Sequence, residues 1–217
     1  MNRRLVQNNP YPLLYLITDR AQLANQKSVD DLDTLETFIE EAAIAGIDMV
    51  QVRERDLTAR SLFYLAQKIS QIASNHDVRI LINDRVDIAA ACGIGVHLTT
   101  RSLSAEVVRK RFGKTMLIGA STHSLAEAQA AEEGGANFVV FGPVFETESK
   151  KIYGEPVGLS ALSEVVKQLQ IPVLALGGIK LGNYRDALQT GAAGIAAISL
   201  FTAADNMENL VRRLKER

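Results

Sequence analysis

A few short phrases carry the side chains that could do chemistry. In Gln51-Val52-Arg53-Glu54-Arg55, strand alternation would put Gln51, Arg53 and Arg55 on one side and Val52 and Glu54 on the other. Two arginines and a glutamine turned into a binding site are costly without an anion. A phosphate or carboxylate would satisfy them, because guanidinium presents a fork matched to such groups. The competing reading is an internal ion pair with Glu54 or Asp84. In Asn83-Asp84, the carboxylate is a candidate Mg²⁺ ligand, since Mg²⁺ often takes one or two carboxylates plus substrate phosphate. His123 stands just before a helix start, where it could act as a general base near neutral pH or make a helix-cap contact. Thr147, Ser149 and Lys150 put two hydroxyls and an ammonium in one short loop, suited to phosphate or pyrophosphate.

Other polar residues have plainer readings. Asp19 could be functional, or could cap a helix or pair with a cation. His97 lies inside an apolar strand, which favours a packed core residue over a ligand. Cys92 is the single cysteine, so no intrachain disulfide forms. It reads as a small buried residue near a helix end, without a base beside it to make a reactive thiolate.

These residues must be held by a frame, and the frame is periodic. Short apolar runs at 13–18, 49–53, 79–83, 95–98, 116–120, 138–142, 173–176 and 194–198 predict strands. They lack polar alternation, as strands covered on both faces do. Helical patterns fall between them, at 33–45, 59–74, 85–92, 105–112, 125–133, 159–169, 183–190 and 205–215. Thr58, Ser104, Ser124 and Asp205 are start signals, and Gly46, Gly93, Gly113, Gly134 and Gly191 are stop signals. Eight β-then-α units predict a single (β/α)₈ TIM barrel over 1–217, with 1–10 an N-terminal segment expected to be flexible. An open doubly wound sheet is the alternative. In a barrel, the chemistry lies where strands end and βα loops begin. Gly177-Gly178 after the seventh strand and Ile198-Ser199 after the eighth then form a phosphate cradle of backbone N–H groups.

Composition narrows the function classes. Lys+Arg is 24 and Asp+Glu is 25, giving a formal net charge of −1. No net basic field exists to draw in nucleic acid. With 47% hydrophobic and 23% charged residues, a disordered chain is excluded. No apolar run reaches ~18 residues, the length needed to span a membrane. The first ten residues lack the apolar stretch of a secretion signal, so a cytoplasmic protein is expected.

The strand-end phrases, in this order, resemble the thiamine-phosphate synthase/TenI family. The resemblance spans 13–200 and rests on Leu16-Ile17-Thr18-Asp19, Gln51-Val52-Arg53-Glu54-Arg55, Ile82-Asn83-Asp84-Arg85-Val86-Asp87, Gly95-Val96-His97-Leu98, Ser121-Thr122-His123, Gly142-Pro143-Val144-Phe145, Thr147-Glu148-Ser149-Lys150 and Gly177-Gly178-Ile179. The synthase branch couples hydroxymethylpyrimidine diphosphate to thiazole phosphate and releases pyrophosphate. The resemblance implies that Gln51, Arg53, Arg55, Asn83, Ser121 and Lys150 hold the pyrimidine diphosphate and Asp84 holds Mg²⁺. It implies that Thr147 to Ser149, Gly177, Gly178, Ile198 and Ser199 hold the thiazole phosphate.

Two departures point to the TenI branch, the thiazole tautomerases, which need neither metal nor pyrophosphate. Synthases typically carry a second Mg²⁺-binding Asp where this chain has Ser102, and lysine where it has Arg55. Glu146-Thr147 also looks TenI-like, since synthases usually have Pro-Thr there. In that branch His123 and Arg55 would be the acid/base pair that aromatises a thiazole carboxylate phosphate. The leading expectation is therefore a TenI-type tautomerase without a cofactor. A Mg²⁺-dependent synthase is the alternative, favoured by Asp84 and Gly142-Pro143, with Arg101 a candidate for the missing metal charge. A non-catalytic thiazole or thiamine phosphate binder is a third reading. The partners expected are small phosphorylated molecules, with a homo-oligomer possible and no nucleic acid or membrane.

Overall fold

A computed structural model describes residues 10–27, 32–147 and 155–216. Strands β1 (Leu13–Ile17), β2 (Met49–Val52), β3 (Arg79–Asn83), β4 (Gly95–Leu98), β5 (Ile118–Thr122), β6 (Phe138–Phe141), β7 (Val173–Leu176) and β8 (Gly194–Ala197) pair in sequence order, all parallel. The barrel closes through β1 and β8, with Leu13 opposite Gly194 and Tyr15 opposite Ala196. This is the expected (β/α)₈ barrel, not the open sheet. Every strand buries both faces, which explains the missing alternation. Leu13, Tyr15, Ile17, Met49, Leu81, Phe138, Val140, Leu174 and Ala196 fill the barrel interior. Their sequence neighbours, such as Leu14, Leu16, Val50, Ile80 and Val139, face the surrounding helices.

The helices are α1 (Arg20–Lys27), α2 (Leu32–Ile44), α3 (Ala59–Asn75), α4 (Val86–Ala91), α5 (Ala105–Phe112), α6 (Leu125–Glu133), α7 (Gly158–Gln168), α8 (Tyr184–Gln189), α9 (Ser199–Thr202) and α10 (Met207–Lys215). Thr58, Ser104 and Ser124 cap as expected, each accepting the N–H three residues on. Two start and stop signals shift by one residue. Asn206 rather than Asp205 caps α10, taking the Asn209 N–H at 2.8 Å. Gly135, at φ 86°, makes the left-handed turn after α6, while Gly134 stays helical at φ −69°. Helix α1 carries no apolar stripe and was not expected.

The helix-to-strand turns share one bonding pattern. Ile47 N–H reaches Ala42 O at 3.0 Å, Ile94 reaches Ala89 O at 3.0 Å and Ala136 reaches Ala131 O at 2.9 Å. Each closes the helix end in the same way. The residues that follow two of these turns tie neighbouring strands. Asp48 accepts the Leu14 N–H at 2.8 Å, and Asn137 accepts the Ile118 N–H at 2.7 Å. Arg109 of α5 donates to Asn137 Oδ1 at 2.8 Å and to the carbonyls of Gly113, Met116 and Gly135. These bonds hold the N-terminal end of the barrel and leave the opposite end to carry chemistry.

Candidate active site

The interior register of β2 to β5 continues past the apolar plug as a polar layer. Gln51 is only 2% exposed, and its Nε2 donates to Asn83 Oδ1 at 2.8 Å. Its Oε1 has no hydrogen-bond partner among the described residues, although it is buried. Native interiors rarely leave such an acceptor bare, and a ligand N–H would complete it. One step further along the same face stands Arg53, half-buried, its backbone N–H on Thr18 Oγ1 at 3.0 Å. Arg55 lies in the turn that follows and is exposed.

Glu54 points to the other side of the strand, as alternation requires. It is 7% exposed and accepts from Thr18 Oγ1 at 2.5 Å, from Arg20 N–H at 3.3 Å and from Arg20 Nη1 at 3.2 Å. Arg20 also forks onto Asp56, whose carboxyl it holds below the usual carboxylate range. The cation paired with Glu54 is therefore Arg20. Asp19 takes the capping role, accepting from Gln22 N–H at 3.4 Å and Gln22 Nε2 at 2.9 Å.

Asp84 follows Asn83 with φ 65°, a left-handed conformation that a non-glycine residue adopts at a cost. Its N–H is held by His97 O at 2.9 Å and its side chain is exposed. The next arginine, Arg85, is engaged by Asp87 at 2.9 and 2.6 Å. In the loop after β4, Ser102 Oγ turns back to accept the Thr99 N–H at 2.8 Å and meets Thr99 Oγ1 at 3.0 Å. Arg101 is exposed, with its N–H on Thr99 Oγ1 at 3.3 Å. Among the described residues no three His, Cys, Asp or Glu side chains gather to hold a metal. Asp84 can therefore serve as a single carboxylate for a cation brought in on a substrate phosphate, which is a common way to bind Mg²⁺.

His97 is core, as expected, but it is also connected. It is 1% exposed, with Nδ1 3.1 Å from Tyr15 Oη and Nε2 2.8 Å from Ser121 Oγ. Burial, then the charge of Arg53, pushes its pKa down to about 3, so the ring is neutral. Burial raises the Tyr15 phenol well above its ordinary value. Ser121 lies on β5, which extends two residues further than expected because Ser121 and Thr122 pair with Val140 and Phe141. His123 leaves the strand exposed, its N–H on Glu127 Oε2 at 2.7 Å and its Nδ1 on Gly142 O at 2.5 Å. A carbonyl only accepts, so Nδ1 carries the proton and Nε2 of the neutral ring is the available base.

The last loops interlock. Val144 N–H bonds Leu176 O at 2.7 Å and Phe145 N–H bonds Gly177 O at 3.0 Å. Gly177 and Gly178 have φ 96° and 65°, and a Cβ on Gly178 would sit 2.4 Å from Glu146 O. Only glycine fits, and it leaves bare backbone beside the half-buried Thr147. Ser149 and Lys150 lie outside the described residues. Ile198 precedes α9, and Ser199 is its exposed first residue. Cys92 ends α4, its thiol pKa raised by burial. No described helix is long and apolar enough to cross a membrane.

Sequence reasoning gathered most of this layer but missed Tyr15 and the bond from His97 to Ser121. The available signal was Gly119, a glycine inside a strand whose absent side chain makes room for the His97 and Phe138 rings.

Comparison with known proteins identifies what this chain is similar to. A family model described as thiamine monophosphate synthase matches residues 14–201. A putative thiamine-phosphate synthase of Geobacter sulfurreducens is 45% identical over 93% of this chain and 92% of its own length. A thiamine-phosphate synthase of Clostridium novyi is 37% identical over 93% and 96%. A thiamine phosphate pyrophosphorylase of Pyrococcus furiosus has a solved structure that superposes with a TM-score of 0.80 at 32% identity, covering 93% of both chains.

Proposed function

The chain belongs to the thiamine monophosphate synthase family, and from that premise we propose that it is a thiamine-phosphate synthase, a transferase that couples hydroxymethylpyrimidine diphosphate to thiazole phosphate. The names of the relatives favour this reading over the tautomerase that Ser102 and Arg55 had led us to expect. The observation that carries it within the site is the buried Oε1 of Gln51, which has no partner among the described residues. An aminopyrimidine brings an N–H donor of the kind this atom lacks.

In this reading the C–O bond between the pyrimidine methylene and the diphosphate breaks, and the thiazole nitrogen forms the new C–N bond as pyrophosphate leaves. The transition state gathers charge on the leaving group, so cations aimed there contribute most. Arg53 and Arg55 meet that charge from the loop after β2, with Lys150 from the sixth loop. Gln51, Asn83 and Ser121 orient the pyrimidine end. Thr147, Ser149, Gly177, Gly178, Ile198 and Ser199 hold the thiazole phosphate, using backbone N–H groups as donors. Asp84 would hold Mg²⁺ on the diphosphate, where the ion would neutralise leaving-group charge.

A second reading has its own support. Ser102 bonds back to Thr99, and His123 presents Nε2 as a base. Both fit a metal-free proton transfer on a thiazole carboxylate phosphate, with Arg55 as the partner acid.

Pyrophosphate release from the two synthase substrates, with and without Mg²⁺, tests the proposal. Metal-dependent release that Asp84→Ala abolishes supports the synthase. Absence of release, with thiazole phosphate still bound and tautomer turnover collapsing in His123→Ala, overturns it in favour of the tautomerase.

A further inference from the structure

A chain of hydrogen bonds crosses the barrel interior from β1 to β5. Tyr15 is fully buried, and its hydroxyl has one partner among the described residues, His97 Nδ1 at 3.1 Å. His97 Nε2 meets Ser121 Oγ at 2.8 Å, and Ser121 Oγ has no other partner among the described residues. The packing around this chain is specific. Phe138 meets the Tyr15 ring edge-on, with centroids 5.4 Å apart, and the His97 ring centroid is 5.7 Å from that of Tyr15. The space comes from Gly119, where a Cβ would lie 2.8 Å from His97 Nδ1 and 2.5 Å from Phe138 Cζ.

The direction of the protons follows from satisfiability. A buried phenolic proton needs an acceptor, and His97 Nδ1 is the one within reach. Nδ1 must then be bare. The imidazole proton sits on Nε2 and donates to Ser121 Oγ. With its oxygen accepting from His97, the Ser121 hydroxyl has its own proton available for something else. Were Nδ1 protonated instead, the Tyr15 proton would be buried without a partner, and Ser121 would donate to His97.

We propose that Tyr15 and His97 are positioning residues that make the Ser121 hydroxyl a committed hydrogen-bond donor to the substrate. The group it meets is then an acceptor with a free lone pair, either a pyrimidine ring nitrogen or a diphosphate oxygen. The identity of that substrate rests on the synthase reading above; the proton order does not.

The proton order is read by ¹⁵N-resolved NMR of the imidazoles in the full-length protein, with the His97 signals identified by their loss in His97→Gln. The expected result is a bare Nδ1 and a protonated Nε2 at His97, with that preference relaxed toward a mixture of the two tautomers in Tyr15→Phe. A protonated Nδ1 in the unaltered protein overturns the proposal. The donor role is read by binding of two probes, inorganic pyrophosphate and phosphate-free hydroxymethylpyrimidine. Ser121→Ala should weaken one of them by about tenfold, the value of one good hydrogen bond, and Tyr15→Phe should weaken the same one. The probe affected identifies the acceptor. Unchanged affinity for both in Ser121→Ala overturns the donor role. Failure of the unaltered protein to bind either probe overturns the synthase reading, while the NMR result still decides the proton order.

Discussion

Gln51 gives its amide N–H to Asn83 Oδ1 at 2.8 Å and keeps its own carbonyl oxygen buried with nothing to accept among the described residues. A buried acceptor of this kind costs about 1–3 kcal/mol until a ligand arrives. Gln51→Met removes it at similar volume. Chemical denaturation should then show unchanged or slightly higher stability, by up to about 1 kcal/mol, since Asn83 is only half-buried. Calorimetric titration of the pyrimidine diphosphate should show affinity falling by tenfold or more, the counterpart of about 1.4 kcal/mol.

Gly178 turns with φ 65° against the Glu146 carbonyl. Gly178→Ala would place a methyl group 2.4 Å from the Glu146 carbonyl oxygen and would add left-handed strain of about 1–2 kcal/mol. The seventh loop must move, so thiazole phosphate affinity should drop at least tenfold in equilibrium binding. Affinity equal to that of the unaltered protein would show that this loop does not form the phosphate site.

Asn137 ties the barrel at the end away from the site. Asn137→Ala leaves the Ile118 N–H and one Arg109 bond without their acceptor. Stability should fall by about 2–3 kcal/mol in urea unfolding, while turnover per folded molecule should stay the same.

His97 makes stability depend on pH. Its folded pKa is pushed down to about 3 from 6.5, so the unfolded chain takes up a proton before the folded one does. The stabilisation is fully present above about pH 6.5 and is lost progressively as pH falls toward about 3. A thermal midpoint that declines through this window, with a shallower decline in His97→Gln, is the expected result.

Local chemistry made most of the fold legible. Helix α5 begins and ends where its cap and glycine say, and α6 begins at its cap, because a cap bonds a backbone group only three residues away. The interior side of β2 was equally plain, since alternation is a property of one strand: Gln51 and Arg53 lie on one face and Glu54 on the other. Helix α1 was not legible. Its start depends on the Asp19 cap and on Glu54, which lies 34 positions from Arg20 in the chain.

The partners chosen across the barrel divide the two kinds of information most clearly. The chain's own order of residues determined eight β-then-α units and set Gln51, Arg53, Asn83, Ser121, His123, Gly177 and Gly178 at or near strand ends, while closure came from β1 pairing with β8. Tertiary structure alone decided that Arg20 pairs with Glu54, that Ser102 bonds back to Thr99, and that His97 joins Tyr15 to Ser121. Tyr15 and His97 are separated by 82 positions and meet only when the barrel closes. Periodicity and capping are short-range and can be read along a chain, whereas a buried hydroxyl takes whichever partner the closed barrel brings within about 3 Å.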